Sequence, residues 1–104
     1  MCTQRLYPNR MEKMKQGLIV NEYGTQEWYL DGKLHRVDGP ARIHENGTEL
    51  WYQHGKGHRT DGPAAVYGNG GEKWFLNGEL HRVDGPAATY PNGETEHWIH
   101  GELQ

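Results

Sequence analysis

Three copies of one heptapeptide hold most of the side chains in this sequence that could do chemistry. They are His35-Arg36-Val37-Asp38-Gly39-Pro40-Ala41, His58-Arg59-Thr60-Asp61-Gly62-Pro63-Ala64 and His81-Arg82-Val83-Asp84-Gly85-Pro86-Ala87. An imidazole, a guanidinium and a carboxylate within four residues suggest either a metal site or a set of acid and base groups. Which of these is feasible depends on the elements that carry the three copies and on how far apart they hold them.

From Leu18 onward the chain repeats with a period of 23 residues and no insertion, in units near 18–40, 41–63, 64–86 and 87–104, and the segment 1–17 lies outside the repeat. Two glycine columns mark it: Gly24, Gly47, Gly70, Gly93, and Gly32, Gly55, Gly78, Gly101. Aromatic pairs lie between them at Trp28-Tyr29, Trp51-Tyr52 and Trp74-Phe75, with His97-Trp98 in the last unit. Asn46-Gly47, Asn69-Gly70 and Asn92-Gly93, alternating with Asp31-Gly32, His54-Gly55, Asn77-Gly78 and His100-Gly101, predict two-residue hairpin turns, of the type I′ geometry where Asn or Asp precedes Gly, because those residues tolerate positive φ. The expected fold is all-β, an antiparallel meander of β-hairpins forming one sheet, open or curled on itself. Asn9-Arg10-Met11-Glu12 followed by Gly17 predicts a short helix in the leading segment.

Fixing the turns predicts a register. Around Asp31-Gly32, Tyr29 faces Leu34 and Trp28 faces His35; around Asn46-Gly47, Ile43 faces Leu50 and Arg42 faces Trp51. Tyr29, Leu34, Ile43, Leu50 and Tyr52 then share one face, and Trp28, Trp51 and Trp74 with the partner histidines occupy the other. An antiparallel sheet commonly hides one face, so rings on both leave a second surface to be covered by the leading segment, another copy or a partner.

With two strands per unit, equivalent side chains sit about 9–10 Å apart, twice the strand spacing. Zinc needs nitrogens at about 2.0–2.1 Å, so His35, His58 and His81 do not converge on one ion, and no metal or other cofactor is expected. Three near-identical environments make a poor reaction centre, the chain has no serine, and its one cysteine, Cys2, is near the start, so no catalytic residue is assigned and the expectation is that the protein is not an enzyme. Asp38-Gly39-Pro40, Asp61-Gly62-Pro63 and Asp84-Gly85-Pro86 read instead as structural bends. In each, Pro removes a ladder donor and Asp binds bend amides or the neighbouring arginine.

The chain is 104 residues with 34% apolar residues, enough for one domain with a modest core carried by aromatic rings. Its net charge of −3 combines a basic beginning (Arg5, Arg10, Lys13 and Lys15 against Glu12) with repeats that carry all the acidic excess. Acidic repeats argue against a phosphate-backbone partner; evenly spaced indoles could stack bases, but the favoured reading is that each packs on cross-strand His and Arg stems to stabilise a thin sheet. A lone cysteine and the lack of a long apolar run fit a reducing, cytoplasmic setting with no membrane span.

The 23-residue unit, with its aromatic pair, turn glycines and following His-Arg-x-Asp-Gly-Pro-Ala, resembles MORN-type β-hairpin repeats over residues 18–104. In its Asp-Gly-Pro element it is similar to tandem repeats of uncharacterised phage and bacterial proteins. That resemblance implies a single-sheet hairpin fold, a scaffolding or binding role, and a phage-encoded protein acting in the host cytoplasm against a host or defence protein. The leading functional expectation is a non-enzymatic protein-interaction module whose partner surface is Trp28, Trp51, Trp74, His35, His58, His81, Arg36, Arg59 and Arg82. The alternative is a small-ligand or nucleotide-sequestering protein, with Trp51, His58, Trp74 and His81 around a pocket, and a third is self-association through open strand edges.

Overall fold

The computed structural model describes residues 15–104, and the helix expected near Asn9–Gln16 and the position of Cys2 fall largely or wholly outside them. Among the described residues there is no helix, and every ladder is antiparallel. The strands are β1 (Gly17–Val20), β2 (Gln26–Leu30), β3 (Lys33–Leu34), β4 (Arg42–Ile43), β5 (Glu49–Leu50), β6 (Tyr52–Gln53), β7 (Lys56–Gly57) and β8 (Ala65–Val66). They continue as β9 (Glu72–Lys73), β10 (Phe75–Leu76), β11 (Glu79–Leu80), β12 (Ala88–Thr89), β13 (Thr95–Glu96), β14 (Trp98–Ile99) and β15 (Glu102–Leu103). An open sheet runs β1-β2-β4-β5-β8-β9-β12-β13, with β3 attached to β2, and β6–β7, β10–β11 and β14–β15 are separate hairpins.

The hairpins are stitched side by side by backbone bonds. Arg36 donates its N–H to the Tyr52 carbonyl at 3.0 Å, Arg59 to Phe75 at 3.1 Å and Arg82 to Trp98 at 3.0 Å. Gly55, Gly78 and Gly101 donate in turn to Leu34, Gly57 and Leu80, each at 2.8 Å. Trp28, Trp51 and Trp74 mark the passage from the long sheet to a hairpin. The Trp51 N–H donates to the Ala64 carbonyl and its carbonyl accepts from the His58 N–H, and Trp28 and Trp74 repeat the pattern with Ala41 and His35, and with Ala87 and His81.

The two glycine columns make different turns. Asp31, His54, Asn77 and His100 have φ of 47–52° and precede glycines of φ 79–85°, which is the type I′ geometry expected of the Asp-Gly and Asn-Gly pairs. In the other column only the glycine has positive φ, 91° at Gly47, and Gly47 N–H bonds the His44 carbonyl while His44 N–H bonds that of Thr48. This is a type I turn closed by a bulged glycine, a three-residue loop where the two-residue reading had been expected.

One extra loop residue slips the register by one, and the expected pairing around Asn46-Gly47 is corrected accordingly. Arg42 faces Leu50 and Ile43 faces Glu49. Ile43 and Leu50 therefore occupy opposite faces. One row across the sheet runs Glu27, Arg42, Leu50, Ala65, Lys73, Ala88 and Glu96, and the adjacent row Gln26, Ile43, Glu49, Val66, Glu72, Thr89 and Thr95. The register around Asp31-Gly32 is as expected, with Tyr29 opposite Leu34.

The apolar residues buried in this sheet are Ala41, Ala64, Ala65, Ala87 and Ala88, and none of the described large side chains is fully enclosed. The shape accounts for this. The molecule is a rod of 57 × 28 × 20 Å with a radius of gyration of 16.8 Å, against about 13 Å for a compact chain of this size. So thin a body half-buries its rings and closes only over small side chains, the alanines with Thr25 and Thr48.

Candidate functional site

Each His-Arg-x-Asp-Gly-Pro-Ala copy folds its arginine back over the tryptophan of its own unit. The guanidinium carbon of Arg36 lies 4.0 Å from the centre of the Trp28 ring, and Arg59 and Arg82 lie 3.9 Å from Trp51 and Trp74. Nε donates to Asp38, Asp61 and Asp84 at 3.3, 2.9 and 3.1 Å, and Nη1 donates to the carbonyls of Pro40, Pro63 and Pro86 at 3.2, 3.1 and 3.3 Å. A Cβ on Gly39, Gly62 or Gly85 would come within 2.8–2.9 Å of that guanidinium carbon, so the glycine leaves room for the arginine on the side away from the indole. Stacking, charge-assisted bonds and a missing side chain thus lock the bend as one unit.

The histidines face a different neighbour. Nδ1 of His35, His58 and His81 accepts the backbone N–H of His54, Asn77 and His100 of the following unit at 2.9, 3.0 and 2.9 Å. Each imidazole replaces a ladder carbonyl between hairpins, which requires Nδ1 to carry no proton. The ring of His35 also packs on His54 at 4.5 Å and that of His81 on His100 at 4.2 Å. This contact of histidines with the next unit's turn is absent from the expectations above, which paired them only with tryptophan, and the 19-residue separation of donor and acceptor gives no local sequence signal for it.

The nine residues expected to form a partner surface therefore divide into two sets. Tryptophan and arginine stack within a unit, and histidine joins one unit to the next. What the bends turn outward is the residue between arginine and aspartate and the aspartate itself: Val37 and Val83 are 69% and 80% exposed, and the Asp38, Asp61 and Asp84 side chains 81–89%. No group of three or more potential metal ligands comes together among the described residues.

Two grooves flank the tryptophans. The larger, about 550 Å³, lies between the long sheet and the hairpins and is lined by Leu50, Trp51, Tyr52, Lys56, Tyr67 and Phe75 among others. The second, about 420 Å³, contains Trp74, His81, Arg59 and Arg82. Trp51 and Trp74 thus line different grooves and His58 lines neither, so the four residues expected around one pocket are not brought together. In the first groove, burial and then the neighbouring Tyr52 push the Tyr67 phenol above its ordinary value. Tyr90 is raised chiefly by its bond to Glu96, 2.9 Å away. The Trp51 indole nitrogen is buried without a hydrogen-bond partner.

No family model matches this chain. No curated protein matches it, and neither does any solved structure. No helix among the described residues is long and apolar enough to cross a membrane.

Proposed function

We propose that the protein is a non-enzymatic interaction module that binds another protein along the outward row of its bends. The observation that carries this reading is the repetition of one rigid stack, Trp-Arg-Asp, along an open rod 57 Å long. Each stack holds an exposed residue (Val37, Thr60 or Val83) beside an exposed carboxylate at a fixed spacing. Side chains that are already ordered lose little entropy when a partner docks. The alternation of apolar tip and acid suits a partner surface in which basic side chains surround apolar ones. The indoles support this surface from beneath, because one face of each is already occupied by arginine.

The resemblance to phage-borne repeats directs the choice of partner to a bacterial host or defence protein in the cytoplasm, with this chain as its phage-encoded inhibitor. The test is affinity capture from a bacterial lysate with the unaltered chain and with Val37→Glu/Val83→Glu, Trp51→Ala and Trp74→Ala variants that keep the β circular-dichroism spectrum. A specific partner present with the unaltered chain and lost with the valine and tryptophan variants supports the reading. An identical captured set for all of them rejects it.

A further inference from the structure

The repeat departs from its own pattern at two positions that line the same groove. In the column opposite the hairpin aromatic, the four units carry Leu34, Gly57, Leu80 and Leu103. The cross-strand pairs are accordingly Tyr29 with Leu34, Phe75 with Leu80 and Trp98 with Leu103, but Tyr52 with Gly57. In the column before the tryptophan position, Glu27, Lys73 and Glu96 are charged and only Leu50 is apolar. Gly57 takes away a leucine side chain and Leu50 removes a charge, and both border the 550 Å³ groove. A third feature separates this unit from the two that follow, where Glu79 and Glu102 stand in the column that holds Lys56 here and Lys33 in the first unit. Among the described residues Lys56 makes no ion pair.

We infer that this groove is a binding site for one small molecule: a flat aromatic ring bearing a single anionic group such as a carboxylate, sulfonate or phosphodiester. The rings of Tyr52, Tyr67 and Phe75 border the groove and offer faces for a planar ligand, and at Gly57 the Phe75 side chain lies where the other units carry leucine. Lys56 is the one cation among the lining residues, which is why a single anionic group is specified. The volume lies within the range of about 300–1,000 Å³ usual for small-molecule sites and exceeds what one partner side chain would fill. The site occurs once in the repeat array, as a site for a single ligand should. It is separate from the outward row of bends, so it can be present or absent whatever the fate of the protein-binding reading.

The experiment uses the full chain with 2-naphthoate and its neutral counterpart 2-naphthamide as probes, followed by fluorescence and by backbone NMR shifts. The expected result is saturable binding of one 2-naphthoate per chain, with shifts centred on residues 50–57, 64–67 and 75–78. The amide should bind about two- to fivefold more weakly, the worth of one solvent-screened ion pair. Lys56→Gln, at an exposed position, should reduce naphthoate binding to the level of the amide and leave the amide unchanged. Gly57→Leu restores the side chain carried by the other units and should abolish binding of both. A Cβ there would meet Phe75 Cβ and Cγ at 3.2 Å, so that ring must yield by a few tenths of an ångström, and the β spectrum of the variant is checked first. Absence of saturable binding, shifts spread evenly over all four units, or unchanged binding in Lys56→Gln would each overturn the inference.

Discussion

Gly62→Ala tests the bend with a single methyl group. The Arg59 guanidinium lies 3.9 Å from the Trp51 ring centre, bonded to Asp61 at 2.9 Å and to the Pro63 carbonyl at 3.1 Å, and a Cβ on Gly62 would come within 2.8 Å of its central carbon. Gly62 does not have positive φ, so alanine is free of backbone strain and the whole effect passes through Arg59. Moving the arginine aside forfeits a cation–π contact of about 0.5–1 kcal/mol and a charged bond to a carbonyl of about 1.5–3 kcal/mol. The Asp61 side chain is 81% exposed, so its ion pair adds only about 0.2–1 kcal/mol. Stiffening the unfolded chain returns about 0.4–1 kcal/mol. Because the arginine is itself partly solvated, the lower end of the range applies, and a net loss of about 1.5 kcal/mol is expected, or about 6–12 °C in Tm. The decisive assay is a double-mutant cycle by urea unfolding with Arg59→Ala. Once the arginine is gone, Gly62→Ala should be neutral or slightly stabilising. Equal destabilisation by Gly62→Ala in both backgrounds, or none in the unaltered chain, would refute the role given to Gly62.

His58→Ala removes the acceptor of the Asn77 amide and should destabilise the chain by about 1–2 kcal/mol, with faster hydrogen exchange at Asn77 than at its unaltered counterparts His54 and His100. At Asn77, where φ is 51°, glycine should be tolerated while valine should cost about 1–2 kcal/mol, read from the urea midpoints. The Tyr67 and Tyr90 phenols are raised in the folded protein, so the unfolded chain loses those protons first. Their stabilising contribution is complete below about pH 10 and is lost as the pH rises beyond it. The urea midpoint should therefore fall on alkaline titration, and less steeply in Tyr67→Phe/Tyr90→Phe.

The period, the two turn columns and the antiparallel connectivity are visible in the sequence because glycines and aromatics recur without a gap. The register at the Asn46-Gly47 column is harder to read, since Asn-Gly serves both a type I′ turn and a type I turn with a bulged glycine. Two residues in that column did carry the distinction. Pro91, directly before Asn92-Gly93, suits the first central position of a type I turn, and Tyr23 stands where a type I′ turn would need positive φ. In the other column the residues before glycine are Asp31, His54, Asn77 and His100, and all four do adopt it. That tryptophan packs on arginine stems is readable from the sequence, but the form of the stack is not: Arg36 folds back over Trp28, eight residues earlier, because of the bend that follows it, and it meets aspartate and a proline carbonyl at the same time. The groove beside Gly57 was legible only by comparing columns, because a single glycine in a hairpin otherwise signals nothing more than a turn.

An interior of small side chains has a mechanical consequence. Each unit is held to the next by backbone ladders, by one imidazole-to-amide bond and by small contacts such as Phe75 against Gly57. Tension applied between Lys15 and Gln104 would meet these fastenings in series and would part the rod one unit at a time. The same arrangement lets the array grow or shrink by whole units without redesign of the interior.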